Sequence, residues 1–525
     1  MIRALWLSLG GLAQALSLAW PWGGVSLPAL QIIGMVILCW QLITCQRPQQ
    51  GFWISWCFAT AWLVGTFWWL FISLHTYGGM PSFLAAFAVL LLAAALGLYY
   101  AGAGAATVFL GNKGKGAGTT QIVVFASAWT LAELARAELF TGFPWGAIGY
   151  AHIDGALSGL APWMGLYGVG WLAAAIAMVC ALALKKLSRT EPKVYSKLGW
   201  TGPGLGLACL VGVQLPAYQH LTNAQPTVPA MQVTVLQGNI AQSEKFQPST
   251  GIAQALRWYQ SELLKVTDGL VIGPETALPL LPMHLPAGYL DSLRHHFQNG
   301  QAAALIGIPW KESKNLERPE YSNAALGWRP GMDADYRYDK SHLVPFGEFV
   351  PPLFRWFTNL MNMPLGEFKS GGMYQRTLDW QGQRIAPNIC YEDLFGEELA
   401  RSFVDPGKAP TVLVNISNIA WFGNTIAIDQ HLNIARMRTL ELQRPMVRAT
   451  NTGMTAVINH QGQVTAQLPR HSAGVLVATV QGRDDPPSLF AQWASRWGLR
   501  PIWAVCTVVI LAAWWLRRKN QASAS

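Results

Sequence analysis

Charge is what this sequence has least of. Of its 525 residues, 12% are charged and 52% hydrophobic, with a mean hydropathy of +0.25, whereas a soluble domain carries about 25% charged residues. A chain this apolar is not disordered, and its composition fits neither a collagen-like fibre nor a small disulfide scaffold with its 7 Cys over 525 residues. Acidic residues are scarcest outside the middle of the chain. Residues 217–499 hold 23 basic and 23 acidic side chains, while the flanks share the other 14 basic and 4 acidic, so the net +10 belongs wholly to the flanks. A pI near 9.3 ordinarily raises nucleic acid as a partner. A neutral middle segment has no such footprint, which removes DNA and RNA from consideration. The sequence also lacks internal repeats, low-complexity tracts and metal-ligand spacing.

What the flanks do have is long apolar runs. Stretches approaching or exceeding the roughly 20 residues that a bilayer core demands lie near 4–20, 27–45, 52–72, 83–109, 120–139, 160–184, 198–216 and 500–516. The first has no small-residue cleavage site and is followed at once by another run, so it reads as a helix rather than a signal peptide. Alternate connections carry Arg3, Arg47, Lys113, Lys115, Lys185, Lys186, Arg189, Lys193, Lys197, Arg517, Arg518 and Lys519, whereas 21–26, 73–82 and 140–159 have no Lys or Arg. The positive-inside rule then makes the basic side cytoplasmic. Eight spans are predicted: a seven-span bundle over 1–217, an extracytoplasmic domain over 218–499, and a last helix with a cytoplasmic tail over 500–525.

Cysteine adds a sharper restriction. Cys39, Cys45, Cys57, Cys180, Cys209 and Cys506 lie in or beside predicted spans, which leaves Cys390 alone in the middle domain. A lone thiol in an oxidising compartment has no disulfide partner within its domain. It is either a buried core residue or a reactive one.

Within 231–480, strands are predicted at 231–239, 269–274, 303–309, 322–328, 385–390, 410–416, 446–450, 454–459 and 474–480. Helices are predicted at 249–266, 286–298, 393–403 and 427–442. Near-continuous Val/Ile/Leu/Ala runs alternating with amphipathic helices indicate an α/β domain whose strands are buried on both faces. Three segments hold chemistry that packing alone does not require. Glu275 follows an apolar strand in Gly273-Pro274-Glu275-Thr276-Ala277, at the strand end where α/β sheets place ligands. Lys340, His342 and Glu348 lie in an apolar stretch, 338–348, where a buried Lys needs a carboxylate partner. Cys390 ends a strand and is followed by Tyr391, Glu392 and Asp393. A Cys at such a turn can use backbone N–H groups and a helix dipole to favour thiolate, and the same groups can hold an oxyanion. A Glu base, a Lys cation and a Cys nucleophile at three strand ends make a plausible nucleophilic constellation. Paired His295-His296 reads as a solvated helix face.

Pro274-Glu275-Thr276-Ala277, 342–348 (HLVPFGE), Ile389-Cys390-Tyr391-Glu392, Asn415-Ile416-Ser417-Asn418, Trp421-Phe422-Gly423, Gln430-His431, Ala435-Arg436 and Arg444-Pro445 form one set of motifs. Ser73-Leu74-His75, Gly78-Gly79 and 141–145 (TGFPW) form another, in the helical part. Together they resemble the nitrilase (carbon–nitrogen hydrolase) superfamily and, more closely, its membrane-embedded apolipoprotein N-acyltransferase family, over nearly the whole chain. The resemblance implies an α-β-β-α sandwich with Cys390 as nucleophile, Glu275 as general base and Lys340 as the cation that stabilises the intermediate. Glu348 would hold Lys340, and Tyr391 and Glu392 would shape the site, with the Tyr391 N–H an oxyanion donor. Phe246, Trp421 and His342 are further supporting or substrate-contacting candidates. The implied reaction moves a fatty acyl chain from a phospholipid, preferably phosphatidylethanolamine, through a Cys thioester to the α-amine of a diacylglyceryl-Cys lipoprotein. It implies an inner-membrane monomer without metal or cofactor. Three positions depart from the pattern: Gly273 and Phe246 stand where Trp is usual, and Ile419 where an acidic residue is usual. They bear on chain or head-group preference more than on reaction type.

Two other readings remain at the level of sequence. A membrane-anchored amidase or nitrilase would share the triad but not the long bundle. A transporter or receptor would place ionisable groups within its spans, yet Glu133, Glu138 and Asp154 cluster at one end. Apolar 352–363 reads as a lipid-dipping arm or an interdomain packing segment. His75 and Trp145 read as helix-packing residues or membrane-face substrate contacts. Replacing Lys340 is expected to depress acylation with little loss of folding.

Overall fold

The computed structural model describes residues 2–111, 117–188, 228–312, 320–350 and 368–522. The predicted span at 198–216, residues Lys113, Lys115, Arg189, Lys193, Lys197 and Cys209, and the apolar segment 352–363 lie outside the described residues. The described chain forms two compact units. One gathers helices from Met1–Phe71, Pro81–Asn223 and Trp497–Ser525, and the other combines Ile72–Met80 with Ala224–Arg496.

The first unit contains α1 (Ile2–Leu18), α2 (Pro28–Leu42), α3 (Pro48–Phe67), α4 (Ser82–Leu110), α5 (Ala117–Glu138) and α6 (Ala161–Leu187). Helices α2 and α3 each begin on a proline, whose missing N–H costs nothing in a first turn. Among the described residues three helices are long and apolar enough to cross a membrane: Ser82–Leu110, Ala156–Leu187 and Arg500–Ala522. A fourth qualifies if Pro48–Phe67 and Leu70–Tyr77, bent by 61°, count as one span. This is fewer than the eight predicted. Ile2–Leu18 and Pro28–Leu42 are apolar but shorter, and α5 carries Glu133, Arg136 and Glu138. Those charges have local structural work. Arg136 donates to the Tyr100 hydroxyl (2.8 Å) and to the carbonyls of Phe143 (2.6 Å) and Trp145 (2.7 Å), and Glu133 accepts from the Ile148 N–H (2.8 Å). They pin the 139–152 connection to the helix end. Trp145 is buried, with its ring 4.8 Å from that of Trp69, which is the helix-packing role.

The second unit is a four-layer sandwich. One six-stranded sheet has the order β12-β1-β2-β3-β4-β5 and the other β11-β10-β9-β8-β7-β6. The strands are β1 (Ala230–Gln237), β2 (Asp268–Ile272), β3 (Gln301–Glu312), β4 (Glu320–Trp328), β5 (Tyr336–Asp339), β6 (Leu378–Trp380), β7 (Gln383–Ile389), β8 (Val412–Ser417), β9 (Met446–Thr450), β10 (Ala456–Ile458), β11 (Val464–Gln467) and β12 (Gly474–Gln481). Alternate residues from both sheets (Val233, Val235, Leu270, Ile272, Leu305 facing Ile385, Ile389, Val412, Val414, Ile416) make the inner core, as the period of two in a strand requires. The residues between them face outward. On the first sheet they pack with α7 (Ala253–Lys265) and α8 (Tyr289–Asn299). On the second they pack with α9 (Ala427–Leu442) and α10 (Leu489–Trp497). Burial on both faces is why these strands read as continuous apolar runs.

The short, polar or edge strands β5, β6 and β11 escape sequence pattern, and the predicted helix at 393–403 is a chain of short helical turns. The final helix α11 (Arg500–Ala522) belongs to the first unit.

Candidate active site

Each sheet has a parallel core, β1-β2-β3 in one and β7-β8-β9 in the other. Parallel strands end together, so Glu275 after β2, Cys390 after β7 and Asn418 after β8 emerge at strand C-termini, where α/β folds build sites. Lys340 follows β5, paired antiparallel beyond β4. The turns there are tight. Asn239, Thr276 and Cys390 have φ of 50°, 51° and 55°, left-handed values that cost non-glycine residues energy and cluster at functional sites. Beneath the Glu275 turn lies Gly307 of β3. A Cβ there would stand 2.5 Å from the Pro274 carbonyl oxygen, 2.6 Å from the Thr276 nitrogen and 2.7 Å from the Glu275 Cα. Gly273 is confined similarly, with Ile306 Cγ1 2.8 Å from where its Cβ would be.

The Lys340 Nζ lies 2.9 Å from Glu348 Oε1 and 3.5 Å from Glu275 Oε1, with Lys340 only 1% exposed. Burial alone would strip its proton. Instead the charges of Glu348, Glu275 and Cys390 outweigh burial and hold the ammonium well above its ordinary pKa. Glu275 is oriented from two sides: Asn323 Nδ2 donates to Oε1 (2.7 Å) and the Asn418 N–H to Oε2 (2.8 Å). Asn323 Nδ2 also donates to Glu348 Oε1 (2.9 Å), whose Oε2 accepts the Val344 N–H (2.8 Å). One amide and one ammonium thus bind the two carboxylates into a unit.

Cys390 is pushed well above the usual thiol pKa, first by burial and then by Glu275, with Lys340 acting in the opposite direction. Burial and the neighbouring carboxylates act against the thiolate that a helix dipole was expected to favour. Cys390 opens only a five-residue helical turn, Cys390–Leu394, and burial beside a carboxylate outweighs so short a dipole. A thiol pushed up in this way calls for a base to take its proton. Asn415 Nδ2 holds the Cys390 carbonyl (3.3 Å).

Glu392 joins the lysine and cysteine segments. It accepts from Tyr338 Oη (2.9 Å), the Ser341 N–H (2.6 Å), the His342 N–H (3.2 Å) and the Ile389 N–H (2.5 Å). Burial raises its pKa while the Ser341 and Ile389 bonds pull it down, so it acts as a staple. Tyr391 is buried, its ring 5.3 Å from that of Phe395. His342 stacks on Phe395 at 3.7 Å and pairs its Nδ1 with Glu398 (3.0 Å), which directs its ring to that pair. Phe246 and Trp421 are 54% and 44% exposed, suited to apolar contact. The Trp421 carbonyl accepts from Ser73 Oγ (2.7 Å) and its ring meets Tyr77 at 5.7 Å. His75 Nδ1 bonds the Met80 carbonyl (2.7 Å) within the same segment.

Three residues escaped sequence reading. Asn323 was signalled only as a polar residue inside the buried apolar run of β4. Asn418 was noticed in a motif but without a role, because it acts through its main chain. Lys245 had no signal at all. It is 3% exposed, and its Nζ donates to the Glu275 carbonyl oxygen (3.1 Å).

Comparison with known proteins follows the same two-part division. Residues 11–179 match the apolipoprotein N-acyltransferase N-terminal domain, and residues 232–484 match the carbon-nitrogen hydrolase family. The chain is 51% identical to an apolipoprotein N-acyltransferase of Verminephrobacter eiseniae, covering 94% of this chain and 93% of that one. It is 40% identical to one of Ralstonia nicotianae, covering 94% and 90%. Among solved structures it is similar to a nitrilase-superfamily amidase of Nesterenkonia AN1, at 15% identity and TM-score 0.37 over 53% of this chain and 99% of that one.

Proposed function

The chain belongs to the apolipoprotein N-acyltransferase family, and from that premise we propose that its acyl transfer to lipoproteins runs through a thioester on Cys390. The observation that carries this reading is the Lys340 ammonium bridging Glu348 and Glu275, with Lys340 and Glu275 both acting on the partly buried Cys390 thiol. Glu275 takes the thiol proton, and the Cys390 sulfur attacks the carbonyl carbon of a phospholipid acyl ester, phosphatidylethanolamine-like. Negative charge then develops on the carbonyl oxygen beside Lys340 and the Tyr391 N–H, the electrostatic stabilisation that supplies much of such catalysis. The intermediate collapses as the ester C–O bond breaks, and the departing lysophospholipid oxygen takes the proton from Glu275.

In the second half the free α-amine of a diacylglyceryl-Cys lipoprotein attacks the thioester. It yields a proton to Glu275, which returns it to the departing Cys390 sulfur. An ester is lost and an amide gained, and the enzyme ends unchanged.

Phe246 and Trp421 would meet the acyl donor. Both substrates are lipid-anchored, which suits a catalytic unit on the extracytoplasmic side of the inner membrane, reached from eight spans, in a monomer. Hydrolysis of a small C–N substrate is not favoured, because the relatives match the helical unit as well as the catalytic one. The test is to incubate purified protein with phosphatidylethanolamine and examine Cys390 by mass spectrometry. An acyl mass on Cys390, lost in Cys390→Ala, is expected. An adduct that persists in Cys390→Ala overturns the reading.

A further inference from the structure

A second buried lysine adjoins the reacting groups. Lys245 lies in the turn after β1, with its N–H bonded to the Ala241 carbonyl (2.9 Å) and its side chain carried inward to the Glu275 carbonyl oxygen (3.1 Å). That bond uses one of three ammonium N–H groups, and the other two have no acceptor among the described residues. The same turn supplies Gln242, whose Oε1 accepts from Asn418 Nδ2 (2.9 Å), so both ends of the Glu275 environment are tied to it. The charged and titratable groups that face Lys245 are Glu275 from the end of β2 and Cys390 from the end of β7. Lys340 and Glu348 adjoin the same Glu275 carboxylate. A buried ammonium with spare donors is costly and calls for a role beyond packing.

We propose that Lys245 is a positioning residue of the acyl-transfer site: it anchors the Glu275 turn through the main-chain carbonyl and, while protonated, places a second positive charge beside the Glu275–Cys390 pair that favours the thiolate. This deepens the Cys390 reading above and rests on it for the acyl donor. The two lysines differ in kind. Lys340 is locked as a cation by Glu348, Glu275 and Cys390, whereas burial draws Lys245 down to about 8, with Glu275 and Cys390 resisting. Lys245 therefore loses its charge within an accessible pH range and Lys340 does not.

The experiment compares the wild type with Lys245→Met and Lys245→Arg in the full-length protein. It measures the rate at which iodoacetamide alkylates Cys390, read by peptide mass spectrometry, beside acylation from phosphatidylethanolamine. At pH near 7, Lys245→Met should alkylate about tenfold more slowly, the effect of one pKa unit on the thiol. The gap should close as pH rises past about 8 and the wild-type lysine discharges, while Lys245→Arg, charged throughout, keeps the rapid reaction. The melting temperature separates this from a merely structural role. The folded-state pKa, about 8, lies below the unfolded 10.5, so the charged lysine costs stability fully below pH 8 and not at all above 10.5. Lys245→Met should then melt no lower than wild type at pH 7, with its advantage shrinking as pH rises. Equal alkylation of Lys245→Met and wild type at pH 7, or a gap that persists to high pH, overturns the proposal. Slowed alkylation in Lys245→Met beside a wild type that never acquires an acyl mass would instead sustain Lys245 and sink the phospholipid reading.

Discussion

At Lys340 the structure changes an expectation about a single side chain. A transition-state cation can be removed with little loss of folding if it stands alone, but Lys340 is 1% exposed between Glu348 and Glu275. Removing one partner of a buried ion pair leaves an uncompensated charge and costs about 3–5 kcal/mol. Lys340→Met should therefore abolish acylation and also lower the melting temperature by several degrees; an unaltered melt would contradict the observed pairing. The proposed triad was legible in sequence as a set of candidates, because Glu275, Lys340 and Cys390 each sit in a segment whose residue types packing does not require. Asn323 was far less legible. Its bonds to two carboxylates arise from β4 lying beside residues distant in the chain, and no spacing records that.

Among the elements, the long buried strands and the helices α7 and α8 follow the sequence period, since each buries a continuous face, whereas α9 is buried on nearly all sides, polar residues included. β5, β6 and β11 are only four, three and four residues long, too short for a period to register. β5 nonetheless delivers Lys340, so a short strand invisible in the pattern positions the cation. β3 contributes differently, through the absence of a side chain at Gly307. Gly307→Ala would press a methyl group against the main chain of 274–276, where nothing flexible can yield. The expected cost is about 1–3 kcal/mol, with slower Cys390 acylation because the Glu275 carboxylate is displaced. Normal acylation in a melted-down variant would show that the turn tolerates the shift.

For the whole molecule, the opening scarcity of charge resolves into a division between two units, a helical one and a charge-balanced catalytic one. The distribution of Lys and Arg predicts that reporter fusions at residues 190 and 300 read opposite compartments; the same compartment for both would overturn the proposed topology. Sequence alone determined that division, the α/β class and, through its motifs, the family and the three proposed reacting residues, because each depends on residue type, period or order along the chain. Tertiary structure alone decided that burial and Glu275 push the Cys390 thiol pKa up, that Asn323 and Glu392 bind the carboxylates and segments together, that Ile72–Met80 joins the unit of the two sheets, and that Lys245 reaches Glu275. Those outcomes depend on burial and on contacts between distant strand ends, where desolvation and opposing charges of several kcal/mol are settled by position and not by identity.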